Sequence, residues 1–128
     1  MDYAVAVYGL AASFPVEEKY NLASQLRRAA TSVPLNIAEG CGSASNTEFG
    51  RFLSYAYRSL KEAVSALELC QRLYPSLRQD RIAALIDEGR SPGDFRLESF
   101  ARRHSCLKAS ARPACGDLRV YIRPLLRQ

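Results

Sequence analysis

The chain has 128 residues, of which 48% are hydrophobic, and this composition is typical of a single soluble domain with one core. Its formal net charge of +5 comes entirely from residues 76–128, because residues 1–75 carry equal numbers of acidic and basic side chains. No apolar run approaches the length of a membrane span and no signal-peptide pattern is present, so we expect a cytoplasmic protein that does not enter the membrane.

Metal and catalytic sites are not indicated by the pattern of reactive side chains. The cysteines at positions 41, 70, 106 and 115 form no CxxC pair, and His104 is the one histidine. A zinc site needs clustered ligands, so we expect reduced thiols and no bound metal. The sequence also has no Gly-rich nucleotide loop and no base placed to activate a nucleophile. We therefore predict that the protein is not an enzyme and has neither a cofactor nor a small-molecule substrate.

Residues 2–13 are predicted to form a short first helix, since Tyr3, Val7 and Leu10 share one face at helical spacing. The β-branched residues of this segment also permit a strand, and we favour the helix because the following segments have helical periodicity. Pro15 ends this element and can open the next helix within its first turn.

The second predicted helix runs from Pro15 to Gly40 and carries an apolar stripe at spacings of three and four residues. The stripe consists of Leu22, Leu26, Ala29, Val33 and Ile37. Pro34 lies within the helix and removes one backbone hydrogen bond, so we expect a kink, with Ser32 or Asn36 satisfying exposed backbone groups. The alternative is a pair of separate helices.

A polar row lies beside this stripe, roughly 100° around the helix. It consists of Gln25, Arg28, Ser32, Asn36 and Glu39. Two interpretations remain open: a solvated face, and a half-buried hydrogen-bond network that fixes how the helices pack. In the second interpretation Ser59 and Glu62 of the third helix join the row, and Arg28 forms an interhelical ion pair with Glu62. We call the row and these two additions the polar network.

The third helix has the clearest local signal, a capping box in which Ser45 is the N-cap and Glu48 the third helical residue. Its predicted core residues recur mostly at spacings of three and four: Phe49, Phe52, Leu53, Ala56, Leu60, Ala63, Val64, Leu67 and Cys70. Tyr74 and Pro75 end the helix. The loop before it is short, so we expect the second and third helices to be antiparallel neighbours.

A fourth helix is predicted over residues 80–88, with Ile82, Leu85 and Ile86 facing the core. The sequence GRSPG at residues 89–93 interrupts it, and no sustained period follows. We therefore divide the chain into a helical bundle, residues 1–88, and an irregular basic C-terminal segment, residues 89–128.

Two runs of sequence carry a resemblance to a known family. Residues 14–42 read FPVEEKYNLASQLRRAATSVPLNIAEGCG, and residues 48–69 read EFGRFLSYAYRSLKEAVSALEL. Over residues 8–72 the chain resembles the bacterial four-helix-bundle proteins encoded in intervening sequences of 23S rRNA genes. The resemblance implies an all-α, antiparallel up-down four-helix bundle that assembles into a ring, with a homopentamer as the expected form. It implies no established enzymatic activity, and a nucleic-acid role is suspected for the family.

The sequence departs from the family pattern at three points. The first helix is short, because relatives usually carry more residues before the run at Val7–Pro15, so we interpret Met1 as a mis-called start. Arg58 occupies a position where relatives usually have glycine, so a tight contact is lost there or a charge is gained. The regular fourth helix of relatives gives way to the irregular segment, which we interpret as a divergent or out-of-frame fourth helix. Re-sequencing the gene tests the out-of-frame interpretation, since an unbroken frame that encodes this protein would exclude it.

The functional hypothesis rests on basic residues of the predicted helices: Arg27, Arg28, Arg51, Arg58 and Lys61. Such side chains neutralise phosphates without reading sequence, and a ring would repeat them. We hypothesise an oligomeric module that binds RNA or DNA through this basic surface. The alternative is a protein-interaction scaffold without a nucleic-acid role, on which these residues are ordinary solvated charges.

Overall fold

The computed structural model describes residues 2–18 and 21–90, and within them the protein is all-α, without strands. Helices α1 (Asp2–Ala11), α2 (Leu22–Cys41), α3 (Asn46–Leu73) and α4 (Gln79–Arg90) follow one another, and a 3-10 turn at Val16–Glu18 precedes α2. The all-α class and the helical interpretation of residues 2–13 are confirmed. The predictions about residues 91–128 lie outside the described residues, and the division of the chain at residue 88 stays a prediction.

The helices pack around one core in a manner consistent with a bundle. The interface of α2 with α3 is the most extensive, α4 packs against α3, and α1 packs against α2 and α4. The predicted apolar positions of all four helices are buried, apart from Leu22 and Phe52, which are half-buried. Burial of each large aliphatic or aromatic side chain contributes about 1.5–3 kcal/mol, so this shared core is the main source of stability.

The start of α2 differs from the prediction. Pro15 does not open a continuous helix; it is followed by the 3-10 turn, and α2 begins at Leu22. The Glu18 carboxylate accepts a hydrogen bond from the Leu22 backbone N–H at 3.2 Å, whereas the side chain of the N-cap residue Asn21 makes no such bond. A carboxylate from the preceding turn therefore satisfies one of the free N–H groups at this helix start.

Pro34 lies inside α2, which continues to Cys41. The alternative of two separate helices is therefore wrong. The Asn36 side-chain amide donates a hydrogen bond to the Ser32 backbone carbonyl at 2.7 Å. The carbonyl that loses its helical donor at Pro34 is that of Ala30, so this bond adds to the helix beside the proline and does not replace the missing one.

Two glycines allow close approach between helices. A Cβ atom built at Gly40 would lie 2.9 Å from Phe52 Cβ, at the α2–α3 interface. A Cβ atom at Gly89 would lie 2.5 Å from Val64 Cγ2 and 3.1 Å from the Tyr3 hydroxyl. Gly89 lies within α4, which ends at Arg90, inside the run of residues 89–93 that was predicted to interrupt it. Glycine is needed at position 89 because α4 comes so close to α3 and α1.

The start of α3 confirms the predicted N-cap. The Ser45 hydroxyl accepts a hydrogen bond from the Glu48 N–H at 3.2 Å. The Glu48 carboxylate reaches back to the Ala44 N–H at 3.3 Å, one residue earlier than in the usual capping box. Both interactions compensate N–H groups that the first turn leaves without helical acceptors.

The cysteines of the helices differ in state. Cys70 is a free thiol buried in the core, which agrees with the expected reduced state. Cys41 is disulfide-bonded, so the expectation of reduced thiols is wrong at this position.

Candidate functional site

A groove of about 580 Å³ runs along α2, with walls contributed by α1 and α3. Every member of the polar network lines it, including Ser59 and Glu62 from α3. The structure therefore brings together the polar residues that helical spacing placed on one side of α2. Tyr8 of α1 and Thr31 and Leu35 of α2 also line the groove.

The floor of the groove is a small hydrogen-bonded cluster between α2 and α3. The Ser59 hydroxyl donates to the Ser32 hydroxyl at 2.9 Å, and the Asn36 amide donates to the same Ser32 oxygen at 2.9 Å. All three side chains are half-buried. This part of the polar network thus has the form of the half-buried, helix-linking interpretation.

The remaining members of the polar network are exposed, namely Gln25, Arg28, Glu39 and Glu62. Arg28 and Glu62 line the same groove but do not form the ion pair that was expected between them. The predicted row therefore has a half-buried centre and a solvated margin. A periodicity of 3.6 residues identifies the side of a helix but does not indicate how far a long charged side chain extends into water.

The wall formed by α1 was not predicted. The Tyr8 ring is 49% exposed, and its hydroxyl is hydrogen-bonded to Thr31 Oγ1 at 3.2 Å. Thr31 Oγ1 is also hydrogen-bonded to the Arg27 backbone carbonyl at 2.7 Å, which positions the threonine end of this contact. The sequence does show that Tyr8 lies outside the apolar face of α1, which could have marked it as an exposed aromatic residue. It does not show how α1 packs on α2, so the contact with Thr31 could not be predicted.

The predicted basic residues occupy two helices. Arg27 and Arg28 belong to α2 and line the groove, where Arg27 is half-buried and Arg28 exposed. Arg51 and Arg58 are exposed on α3, two helical turns apart and so roughly 10 Å along its axis. Arg58 points to solvent, so the arginine at this position adds a surface charge. Lys61 is exposed too.

Three of these arginines, Arg28, Arg51 and Arg58, have no ion-pair partner among residues 2–18 and 21–90. Other arginines do: Arg78 pairs with Asp80 at 3.3 Å, and its hydrogen bond lowers the pKa of that carboxyl. Arg90 pairs with Glu68 at 2.6 Å. The unpaired guanidinium groups retain their full donor capacity for an anionic partner.

Lys61 interacts with an aromatic ring. Its Nζ lies 5.3 Å from the centroid of the Tyr57 ring, within the range of a cation–π contact. Lys61 therefore already has an attractive partner within its own helix.

Several apolar side chains of α2 and α3 are exposed. Leu35 is 61% exposed, and Leu69 and Leu73, one turn apart near the end of α3, are 46% and 55% exposed. Tyr55 is 41% exposed and meets Phe52 edge to face, with ring centroids 6.2 Å apart. Apolar groups at helical spacing on one side of α3 are suited to contact another polypeptide.

Within the described part of the chain, no three His, Cys, Asp or Glu side chains are grouped so that they could hold a metal ion. None of the helices described above combines the length and the apolar character that crossing a membrane requires.

The family model described as 23S rRNA-intervening sequence protein matches residues 1–90, a range that contains all four described helices. The chain belongs to the 23S rRNA-intervening sequence protein family. The resemblance found in residues 14–42 and 48–69 is thereby confirmed. The description of the 23S rRNA-intervening sequence protein family names no enzymatic activity. No curated protein matches the sequence.

Proposed function

We propose that this 23S rRNA-intervening sequence protein is a non-enzymatic, cytoplasmic homo-oligomer that binds RNA through exposed arginines of α2 and α3. The observation that carries the proposal is the exposure of Arg28, Arg51 and Arg58 without ion-pair partners among the described residues. Guanidinium groups in this state bind phosphate oxygens and release condensed counterions, which gives salt-dependent affinity without sequence preference.

We also propose that α2 and α3 are antiparallel neighbours, and the contacts between them support this. Ser32 of α2 contacts Ser59 of α3, and further along α2 Gly40 lies against Phe52 and Phe49, which come earlier in α3. The order of contacts reverses between the two helices, as it does in an up-down bundle.

Assembly into a ring would multiply this surface. The family resemblance implies a homopentamer, and the exposed Leu69 and Leu73 of α3 supply apolar area for contact between copies. Several weak phosphate-binding surfaces held on one ring bind a long RNA much more tightly than one of them does.

The test is fluorescence anisotropy of labelled RNA with the full chain at low and moderate salt. The variant R28Q/R51Q/R58Q is expected to bind more weakly, and the slope of log K against log salt should fall by about 2 per protomer for single-stranded RNA. The control R72Q/R78Q/R81Q removes the same charge from the last turn of α3, from the residue before α4 and from the first turn of α4. RNA binding that both variants weaken equally, or that neither weakens, contradicts the proposed surface.

A protein-interaction scaffold is the second candidate, and the exposed Leu69 and Leu73 favour it. Apolar contact with a protein depends little on salt. An absence of RNA binding by the unmodified chain at low salt would exclude the RNA proposal and leave the scaffold.

A further inference from the structure

The groove along α2 holds an aromatic ring, a free guanidinium group and a hydroxyl-rich floor side by side. The geometry points to this groove as the place where a nucleotide of single-stranded RNA binds, an inference that rests on the proposed RNA binding and adds a location and a base preference to it. Tyr8 stacks on the base, Arg28 binds the phosphate, and the floor contacts the ribose.

Tyr8 is suited to stacking because its ring is both exposed and fixed. The ring is 49% exposed, while its hydroxyl is tied to Thr31. A tyrosine held at its far end loses little conformational entropy when a base stacks on its face, and stacking does not depend on which base is present. Bases of a duplex are already stacked on each other, so this contact selects single strands.

The floor has hydrogen-bonding capacity left over. Ser32 Oγ accepts hydrogen bonds from Ser59 and from Asn36, so the hydrogen of the Ser32 hydroxyl has no acceptor within the described residues. Each hydroxyl carries one donor and two acceptor positions. Ser32 can therefore donate to a ligand oxygen, and a ribose hydroxyl matches this small polar floor.

The groove carries charges of both signs. Arg27 and Arg28 provide cations, and Glu39 and Glu62 provide carboxylates, in the same lining. Carboxylates repel phosphate but accept hydrogen bonds from exocyclic amino groups, such as N4 of cytosine. At the position of the cytosine amino group uracil has its O4 carbonyl, which a carboxylate repels, and the ring N3–H of uracil is one donor against the two of the amino group. The groove is therefore expected to prefer cytosine over uracil.

The first experiment measures anisotropy of labelled oligo(C), oligo(U) and an RNA duplex with the full chain. Tyr8→Ala should weaken oligo(C) binding about 5- to 150-fold, the range for loss of one stacked base, and leave duplex binding unchanged. Tyr8→Phe keeps the ring and should retain most of the affinity. Tyr55→Ala is the matched control, because Tyr55 is similarly exposed but lies outside the groove, and size-exclusion chromatography verifies that this variant keeps the assembly state of the unmodified chain.

The second experiment tests the carboxylates and does not depend on a core substitution. E39Q/E62Q should abolish the preference for oligo(C) over oligo(U), while E17Q/E88Q, with the same change of charge at exposed positions outside the groove, should preserve it. Circular dichroism of each variant verifies that the helices form.

Different results would overturn the nucleotide site in the groove, its base preference and the proposed RNA binding. Unchanged oligo(C) binding by Tyr8→Ala, with binding lost in R28Q/R51Q/R58Q, overturns the groove and leaves the proposed function intact. Equal affinity of the unmodified chain for oligo(C) and oligo(U) overturns the base preference. Absence of binding to every RNA by the unmodified chain overturns the proposed function itself.

Discussion

Cys70 and Tyr74, near the end of α3, hold their protons more tightly in the folded chain than usual. Burial raises the pKa of the Cys70 thiol from 9.0 to about 11. A hydrogen bond with the Glu18 carboxylate raises the pKa of Tyr74 from 10.0 to about 12. Because the unfolded chain loses these protons at lower pH, both groups stabilise the fold fully below pH 9, and their contribution is lost as pH rises from 9 to 12.

The free energy of unfolding should therefore fall between pH 9 and pH 11, and Cys70→Ala should make that fall shallower even though it removes core volume. Urea titrations at pH 8, 9, 10 and 11 give the slope. Tyr74→Phe is the companion variant, and its effect should be confined to the upper part of this range. An identical slope for Cys70→Ala and the unmodified chain would show that the thiol does not contribute.

For the polar network, the sequence predicted which residues lie together but not which of them are half-buried and which are exposed. Helical spacing was sufficient to place Ser32, Asn36 and Ser59 on one side of the α2–α3 interface. It could not separate them from Arg28, whose side chain is long enough to reach solvent from the same row. Tyr8 was missed because its partner Thr31 belongs to another helix, and no local pattern encodes that contact.

Among the helices, α3 is the one whose first residue is predicted best from the local sequence. Its N-cap bond joins residues three apart in the chain, Ser45 and Glu48, so it forms whenever this helix begins at Asn46. The start of α2 is different. The acceptor for the Leu22 N–H is the Glu18 carboxylate of the preceding 3-10 turn. A helix that starts at Pro15 was predicted instead, because proline is common in the first turn of a helix.

Ser45→Ala removes the cap of α3 and is expected to lower the free energy of unfolding by about 1 kcal/mol. The physical reason is that the Glu48 N–H loses its acceptor, and water replaces it incompletely. Urea unfolding measures the change. Ser65→Ala, at an exposed position within the same helix, serves as the control and should be neutral or slightly stabilising because alanine has the higher helix propensity. A loss of stability in both variants alike would rule out a capping effect.

For the whole molecule, periodicity predicted the core residues of all four helices. Apolar residues at spacings of three and four lie on one face of a helix, and the helices remove these faces from water by packing them against each other. The extension of α4 beyond residue 88 was not predictable in this way. Gly89 reads locally as a helix breaker, and its real role depends on Val64 and Tyr3, which lie far away in the chain. Contacts of this kind are set by tertiary packing, which overrides local propensity.

The contact of Gly89 with Tyr3 also has a kinetic consequence, because it joins the two ends of the described chain. The α2–α3 pair is linked by a short loop and can form early, whereas α4 can meet α1 only after a much longer loop has closed. Gly89→Ala should therefore accelerate unfolding while leaving the folding rate nearly unchanged, and Gly40→Ala, at the α2–α3 interface, should slow folding. Stopped-flow measurements over a range of protein concentrations separate these rates from assembly, and slower folding of Gly89→Ala would place the closure of the chain ends in the rate-limiting step.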